Sequence, residues 1–147
     1  MGGWQVNAIQ TIESGTPIAL AATVAGGGNR PNVVPGVQAK LDNPTIDRWF
    51  NTDAFSNPAG YTYGNVSRTL PNIHTDSLYN IDLSLFKNFA IGERAKLQFR
   101  AEAFNFTNTP TFGEPGRAIN TATFGIVTAQ AFNPKPREVQ LALRLTF

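Results

Sequence analysis

Hydrophobic and polar positions alternate with a period of two in four stretches of the chain. The clearest is the last eleven residues, R-E-V-Q-L-A-L-R-L-T-F. As an extended strand this segment sets Val139, Leu141, Leu143, Leu145 and Phe147 on one face and Glu138, Gln140, Ala142, Arg144 and Thr146 on the other. Residues 3–13 alternate less strictly, with Trp4, Val6, Ala8, Gln10 and Ile12 sharing a face. Residues 79–89 set Tyr79, Ile81, Leu83, Leu85 and Lys87 against Asn80, Asp82 and Ser84, with Phe86 interrupting the polar side. Ala95, Leu97, Phe99, Ala101 and Ala103 then stand against Lys96, Gln98, Arg100 and Glu102. Two alternating runs around a short glycine-containing connection predict a β-hairpin.

Between these runs the period is lost. The pattern predicts about four long antiparallel strands, over 3–13, 78–89, 94–105 and 137–147, with long loops over 15–77 and 106–136. Gly26-Gly27-Gly28-Asn29-Arg30-Pro31 excludes regular structure, and the rest of the first loop mixes Asn, Pro, Gly and aromatics. Short strands are conceivable over 18–24 and 123–131, and a single helical turn over 46–50. The connections thus run long, short, long, and both long ones share an end. Transmembrane barrels show this asymmetry, with strands that alternate lipid-facing and lumen-facing residues. Four strands cannot close a barrel, for which the smallest number is eight. The expected fold is all-β: part of a transmembrane β-barrel, or an open sheet if the chain stands alone. A half-buried strand of a soluble β-sandwich shows the same alternation. A sandwich module binding carbohydrate or peptide is therefore the alternative, and detergent-dependent solubility separates the two.

Composition favours the barrel. Charged residues make up 15% of the 147 residues, against about 25% in typical soluble domains. No apolar run is long enough for a transmembrane helix. The net charge of +2, with Lys and Arg scattered, gives no reason to expect nucleic acid. The absence of Cys removes disulfides and thiolate metal sites. The first residues lack a basic segment followed by an apolar one, so a secretory leader is expected upstream.

Candidate chemistry is sparse. Asp82, Arg100, Glu102 and Arg144 fall on the polar faces. In a barrel they would face the lumen, where they could touch solute or plug, but a charge ladder across strands explains them more simply, each opposite pair contributing about 0.2–1 kcal/mol. His74 has Ser67, Asp76 and Ser77 nearby in sequence but no nucleophile-elbow pattern. Gly26-Gly27-Gly28 lacks the context of a phosphate loop, and the carboxylates lack metal-ligand spacing. No catalytic residue, metal or cofactor is expected. The loop aromatics Trp49, Phe50, Phe55, Tyr61 and Tyr63 suit ligand stacking, loop packing or headgroup contact equally well.

An ordered series of segments resembles TonB-dependent outer-membrane receptors, most closely the Oar-like subgroup with a carboxypeptidase-regulatory-like domain. The series comprises Arg30-Pro31-Asn32-Val33-Val34-Pro35-Gly36, Trp49-Phe50-Asn51 with Ala54-Phe55, Tyr63-Gly64-Asn65, the hairpin from Tyr79 through Asn105, and the ending from Pro136 to Phe147. The resemblance implies the last four strands of a twenty-two-stranded barrel in the outer membrane of a Gram-negative bacterium, without the family's plug and TonB-contacting segment. It implies as partners outer-membrane lipid, the remainder of the barrel and plug, the barrel-assembly machinery, and TonB through that missing segment. The family's assembly signal maps onto Leu141, Leu143, Leu145 and Phe147. The implied activity is movement of a large solute, import or export, through the intact receptor.

The hairpin register is open to a specific expectation. With Gly92 at positive φ closing a three-residue loop Ala90-Ile91-Gly92, Phe89 would face Glu93, Leu83 would face Phe99, and Asp82 would face Arg100 on the polar side.

Overall fold

The computed structural model describes residues 2–26, 29–92, 94–132 and 135–147. Among the described residues eight strands are formed: β1 (Trp4–Glu13), β2 (Pro17–Ile18), β3 (Asn32–Val33), β4 (Phe55–Ser56), β5 (Leu70–His74), β6 (Leu78–Ile91), β7 (Ala95–Phe104) and β8 (Glu138–Thr146). Four are long, and these are the four alternating runs. They make one antiparallel sheet in the order β1-β6-β7-β8. Glu13 lies opposite Leu78, and Phe104 opposite Glu138. Both long connections therefore leave and re-enter at one end of the sheet, and the β6–β7 turn lies at the other.

The chain divides into two compact units. The first holds the four-stranded sheet. The second, Ser14–Ser77 with Phe112–Ala131, is made almost wholly of the predicted loops. It is not structureless. Ile18, Leu20, Phe50, Ala54, Phe55, Val66, Leu70 and Ile73 form a buried core, and Phe50, Phe55 and Phe124 meet edge to face with centroids 5.3–6.3 Å apart. Its core residues sit on separate turns and two-stranded pieces, β2 with β5 and β3 with β4. Asparagine side chains supply bonds that regular structure would otherwise give: Val33 N donates to Asn65 Oδ1 (2.7 Å) and Asn65 N to Asn32 Oδ1 (3.1 Å).

Three local expectations for this unit are corrected. The strand over 18–24 shrinks to Pro17–Ile18 plus a single bridge at Ala21. The strand over 123–131 is only two isolated bridges, at Phe124 and Gln130. The helical turn over 46–50 is replaced by a loop closed between Thr45 and Arg48, and a 3-10 turn follows at Thr52–Ala54. Asn51 explains the displacement: its side chain accepts from Asp53 N and caps the later turn.

The hairpin register is also corrected. Ile91 pairs with Ala95, Phe89 with Leu97, Phe86 with Arg100, and Ser84 with Glu102. This is four residues away from the expected pairing of Asp82 with Arg100. Phe89 does not face Glu93, which lies outside the described residues. Gly92 does have positive φ (65°), but it opens the loop rather than closing it. Turn chemistry accounts for the shift. The expected loop would bend the chain at Ile91, a β-branched residue that favours strands. The observed ladder runs on to the Ile91–Ala95 pair, so Ala90 and Ile91 stay in the strand and the turn begins at Gly92. An even shift leaves each side chain on its face, so Leu83 and Phe99 still share one.

Candidate functional site

The functional surface is the sheet itself, because its two faces differ in chemistry. Across the sheet the rows read Trp4, Lys87, Phe99, Leu143, then Val6, Leu85, Ala101, Leu141, then Ala8, Leu83, Ala103, Val139. Apart from Lys87 these rows are apolar over all four strands, and the next two rows towards the turn add Phe89, Leu97 and Leu145, then Ile91 and Ala95. It is also uncovered. Val6 is 69% exposed, Leu143 70% and Phe147 96%. A contiguous apolar surface of this kind marks a protein or membrane contact. A soluble sandwich would cover it with a second sheet, and none does so among the described residues. Leu141, Leu143 and Leu145 share this face on β8, and Phe147 follows in the same alternation.

The opposite face carries the polar ladder. Arg100 donates to Glu102 Oε1 at 2.8 Å and lies over the Phe86 ring at 4.9 Å. Ser84 Oγ donates to the same Glu102 oxygen at 3.4 Å, and Gln98 Nε2 to Asn88 Oδ1 at 3.0 Å. Arg144 lies opposite Gln98. Asp82, Arg100, Glu102 and Arg144 thus share one face, but only Arg100 and Glu102 touch. Apolar side chains interrupt this face at Ile9, which is 65% exposed, and at Phe86.

Asp82 has a different role. Its Oδ1 accepts from Asn80 Nδ2 (3.0 Å) and from the backbone N–H of Asn105 (2.8 Å). Asn105, buried and at positive φ (46°), in turn donates through Nδ2 to the Lys135 carbonyl (2.9 Å) and accepts from Thr109 N (3.2 Å). This network ties the exit of β7 to the approach of β8. A cleft of about 420 Å³ lies beside it, lined by Thr11, Asn80, Asp82, Asn105, Glu138 and Gln140 among others. Asn80 Oδ1 is shielded there without a hydrogen-bond partner among the described residues. Asn105 is missed by pattern reasoning. Its one signal is an asparagine directly after a strand, where a left-handed residue often sits.

The remaining candidates are structural. Asp76 accepts from the backbone N–H groups of Ser77 and Phe112, both 2.9 Å. The His74 carbonyl accepts from Trp49 Nε1 at 2.8 Å. Phe50 and Phe55 are core, whereas Tyr61 and Tyr63 are exposed. No cluster of three or more His, Cys, Asp or Glu that could hold a metal occurs among the described residues.

An antiparallel sheet with one bare apolar face, one polar face and alternating long and short connections is the wall of a membrane-spanning β-barrel. The chain belongs to the outer membrane beta barrel domain family, whose model matches residues 1–140. That membership places it in an outer membrane and suggests a structural or transport role. No curated protein and no solved structure matches it.

Proposed function

We propose that this chain is the C-terminal wall segment of a TonB-dependent transporter in a Gram-negative outer membrane. The observation that carries the proposal is the sheet: four strands with an apolar and a polar face, but with β1 and β8 each paired on one side only among the described residues. Unpaired backbone groups have no water to satisfy them within a bilayer, so both edges require further strands. The remainder of the receptor supplies them, and β8 closes against the first strand of the barrel. Asp82, Arg100, Glu102 and Arg144 then face the lumen and plug. Leu141, Leu143, Leu145 and Phe147 meet outer-membrane lipid and present the terminal strand to the barrel-assembly machinery. The two long connections then belong to the outer side of the membrane, where barrels of this class carry them. The TonB assignment rests on the resemblance of the hairpin, loop and terminal segments to that receptor family, and TonB acts through a segment ahead of this one.

The test is to isolate the intact polypeptide from outer membranes and determine what precedes residue 1. The expected result is a plug, a TonB-contacting segment and more alternating strands, with cross-linking to TonB in energised cells. A barrel without a plug, or one that never cross-links to TonB, would overturn the transport assignment and leave the barrel standing.

A further inference from the structure

Lys87 is the only charged side chain among the described sheet residues on the apolar face. It stands between Trp4 and Phe99 in its row, with Leu85 before it and Phe89 after it along β6. A charge facing lipid is expensive near the bilayer centre and cheap near the interface. The side chain resolves this by direction. Its Nζ donates to the Gly2 carbonyl at 2.7 Å and lies 4.8 Å from the Trp4 ring centroid and 5.5 Å from that of Phe89. The ammonium therefore snorkels from its own row towards the turn end, to the level of Phe89.

The strand geometry agrees. From Tyr79 to Phe89 is ten steps along β6, about 34 Å at roughly 3.4 Å per residue. At a tilt of about 45° this spans about 24 Å, against an apolar band about 25 Å tall in such barrels. Tyr79 marks one edge of that band. Phe89, Trp4 and the Lys87 ammonium mark the other. An ammonium has three donors, and the Gly2 carbonyl takes one. Two remain, at headgroup depth, flanked by two aromatic rings.

We propose that Lys87, Trp4 and Phe89 form a site for the phosphate of an anionic phospholipid at the turn end of the sheet. The inference rests on the membrane-spanning sheet and is independent of the transport assignment. Two phosphate sources are possible, a lipid headgroup and free phosphate, and the three-sided setting favours the lipid, whose chains would lie along the apolar face beside Leu85.

The test uses the intact barrel polypeptide that carries this chain, in zwitterionic micelles, with every tryptophan except Trp4 replaced by Phe. Short-chain phosphatidylglycerol is titrated against inorganic phosphate, and Trp4 emission is read. One basic residue near an anionic surface corresponds to about a fivefold gain in partitioning. Phosphatidylglycerol should therefore shift Trp4 emission with an apparent affinity about fivefold higher than phosphatidylcholine of the same chain length, and inorganic phosphate should not. Lys87→Gln should lose that preference and Lys87→Arg keep it. Lys96→Gln, on the opposite face, should keep it as well. Equal response to inorganic phosphate, or a preference that survives Lys87→Gln, would overturn the site. Quenching of Trp4 emission by aqueous iodide but not by brominated lipid would overturn it too, together with the membrane-spanning sheet, whereas failure to cross-link to TonB would leave it standing.

Discussion

The two units of this chain handle apolar side chains in opposite ways. In the loop unit Phe50 is fully buried, and the apolar side chains of its core turn inward. In the sheet unit Leu143 is 70% exposed, and no layer covers the apolar face among the described residues. The first unit folds as a water-soluble domain folds, by withdrawing apolar area from water. The second is held by ladder hydrogen bonds and in-plane contacts and leaves its apolar area to the bilayer. One sequence therefore contains two solvents. Aromatic content alone does not separate them: Phe50 and Phe99 differ in what surrounds them, not in chemistry.

The largest test of this contrast is in the loop unit. Phe50→Ala removes a buried ring that packs edge to face on Phe55 and Phe124. Truncations of this type cost about 3–5 kcal/mol. The loop unit should become sensitive to protease, while the heat-modifiable gel mobility of the intact barrel stays. Equal loss of both would show that the two units do not have separate stabilities.

The next test is on the lipid face and is graded by depth. Leu141 shares its row with Val6, Leu85 and Ala101, near the middle of the span, and Leu145 shares the Phe89 row near its edge. An Arg costs about 2–4 kcal/mol at the midplane and about 0–1 near the interface. Leu141→Arg should therefore destabilise the barrel far more than Leu145→Arg in urea unfolding from vesicles. Gln140→Arg, on the polar face opposite Glu102, should be nearly neutral. Ala142→Arg is a poorer control, because Ala142 lies opposite Arg100. Equal losses at 140 and 141 would sink the assigned faces.

How much of this was legible follows from period. The four long strands and their faces are readable because side chains alternate strictly, and a slip would put Leu83 or Leu143 on the wrong side. The loop unit is not readable, because its core residues come from turns with no common spacing: Ile18, Phe50, Val66 and Ile73 follow no repeat. The polar face was readable as a set but not as contacts. Asp82 was expected beside Arg100, yet pairing energy of under about 1 kcal/mol did not decide the register. The turn did, by keeping Ile91 in the strand. The roles of Asn105 and Lys87 are not legible for a related reason: each acts through a backbone carbonyl or a ring, which no sequence pattern displays.

A third test concerns assembly rather than stability. Removing Phe147 leaves the whole β8 ladder, which ends at Thr146, so the finished barrel should lose little stability. Insertion of the intact receptor should nevertheless fall several-fold at unchanged synthesis, measured as surface-exposed protein in outer-membrane fractions. Normal surface levels would show that the terminal ring is not read during assembly.

The smallest effect expected is at the Arg100–Glu102 pair, and it sharpens the contrast from the polar side. The contact is short, 2.8 Å, but the Arg100 side chain is 46% exposed, so solvent screens it and an exposed pair couples by at most about 1 kcal/mol. Both residues also have other partners. Arg100 keeps the Phe86 ring, and Glu102 keeps Ser84 Oγ. A double-mutant cycle of Arg100→Met and Glu102→Gln should therefore give a coupling of about 0.2–1 kcal/mol that shrinks as salt is raised. Asp82→Asn crossed with Arg100→Met should give none, because the observed register sets Phe86, not Asp82, opposite Arg100. Coupling between Asp82 and Arg100 as large as that between Arg100 and Glu102 would restore the register that charge pairing alone suggests, and would move Gly92 to the end of its turn.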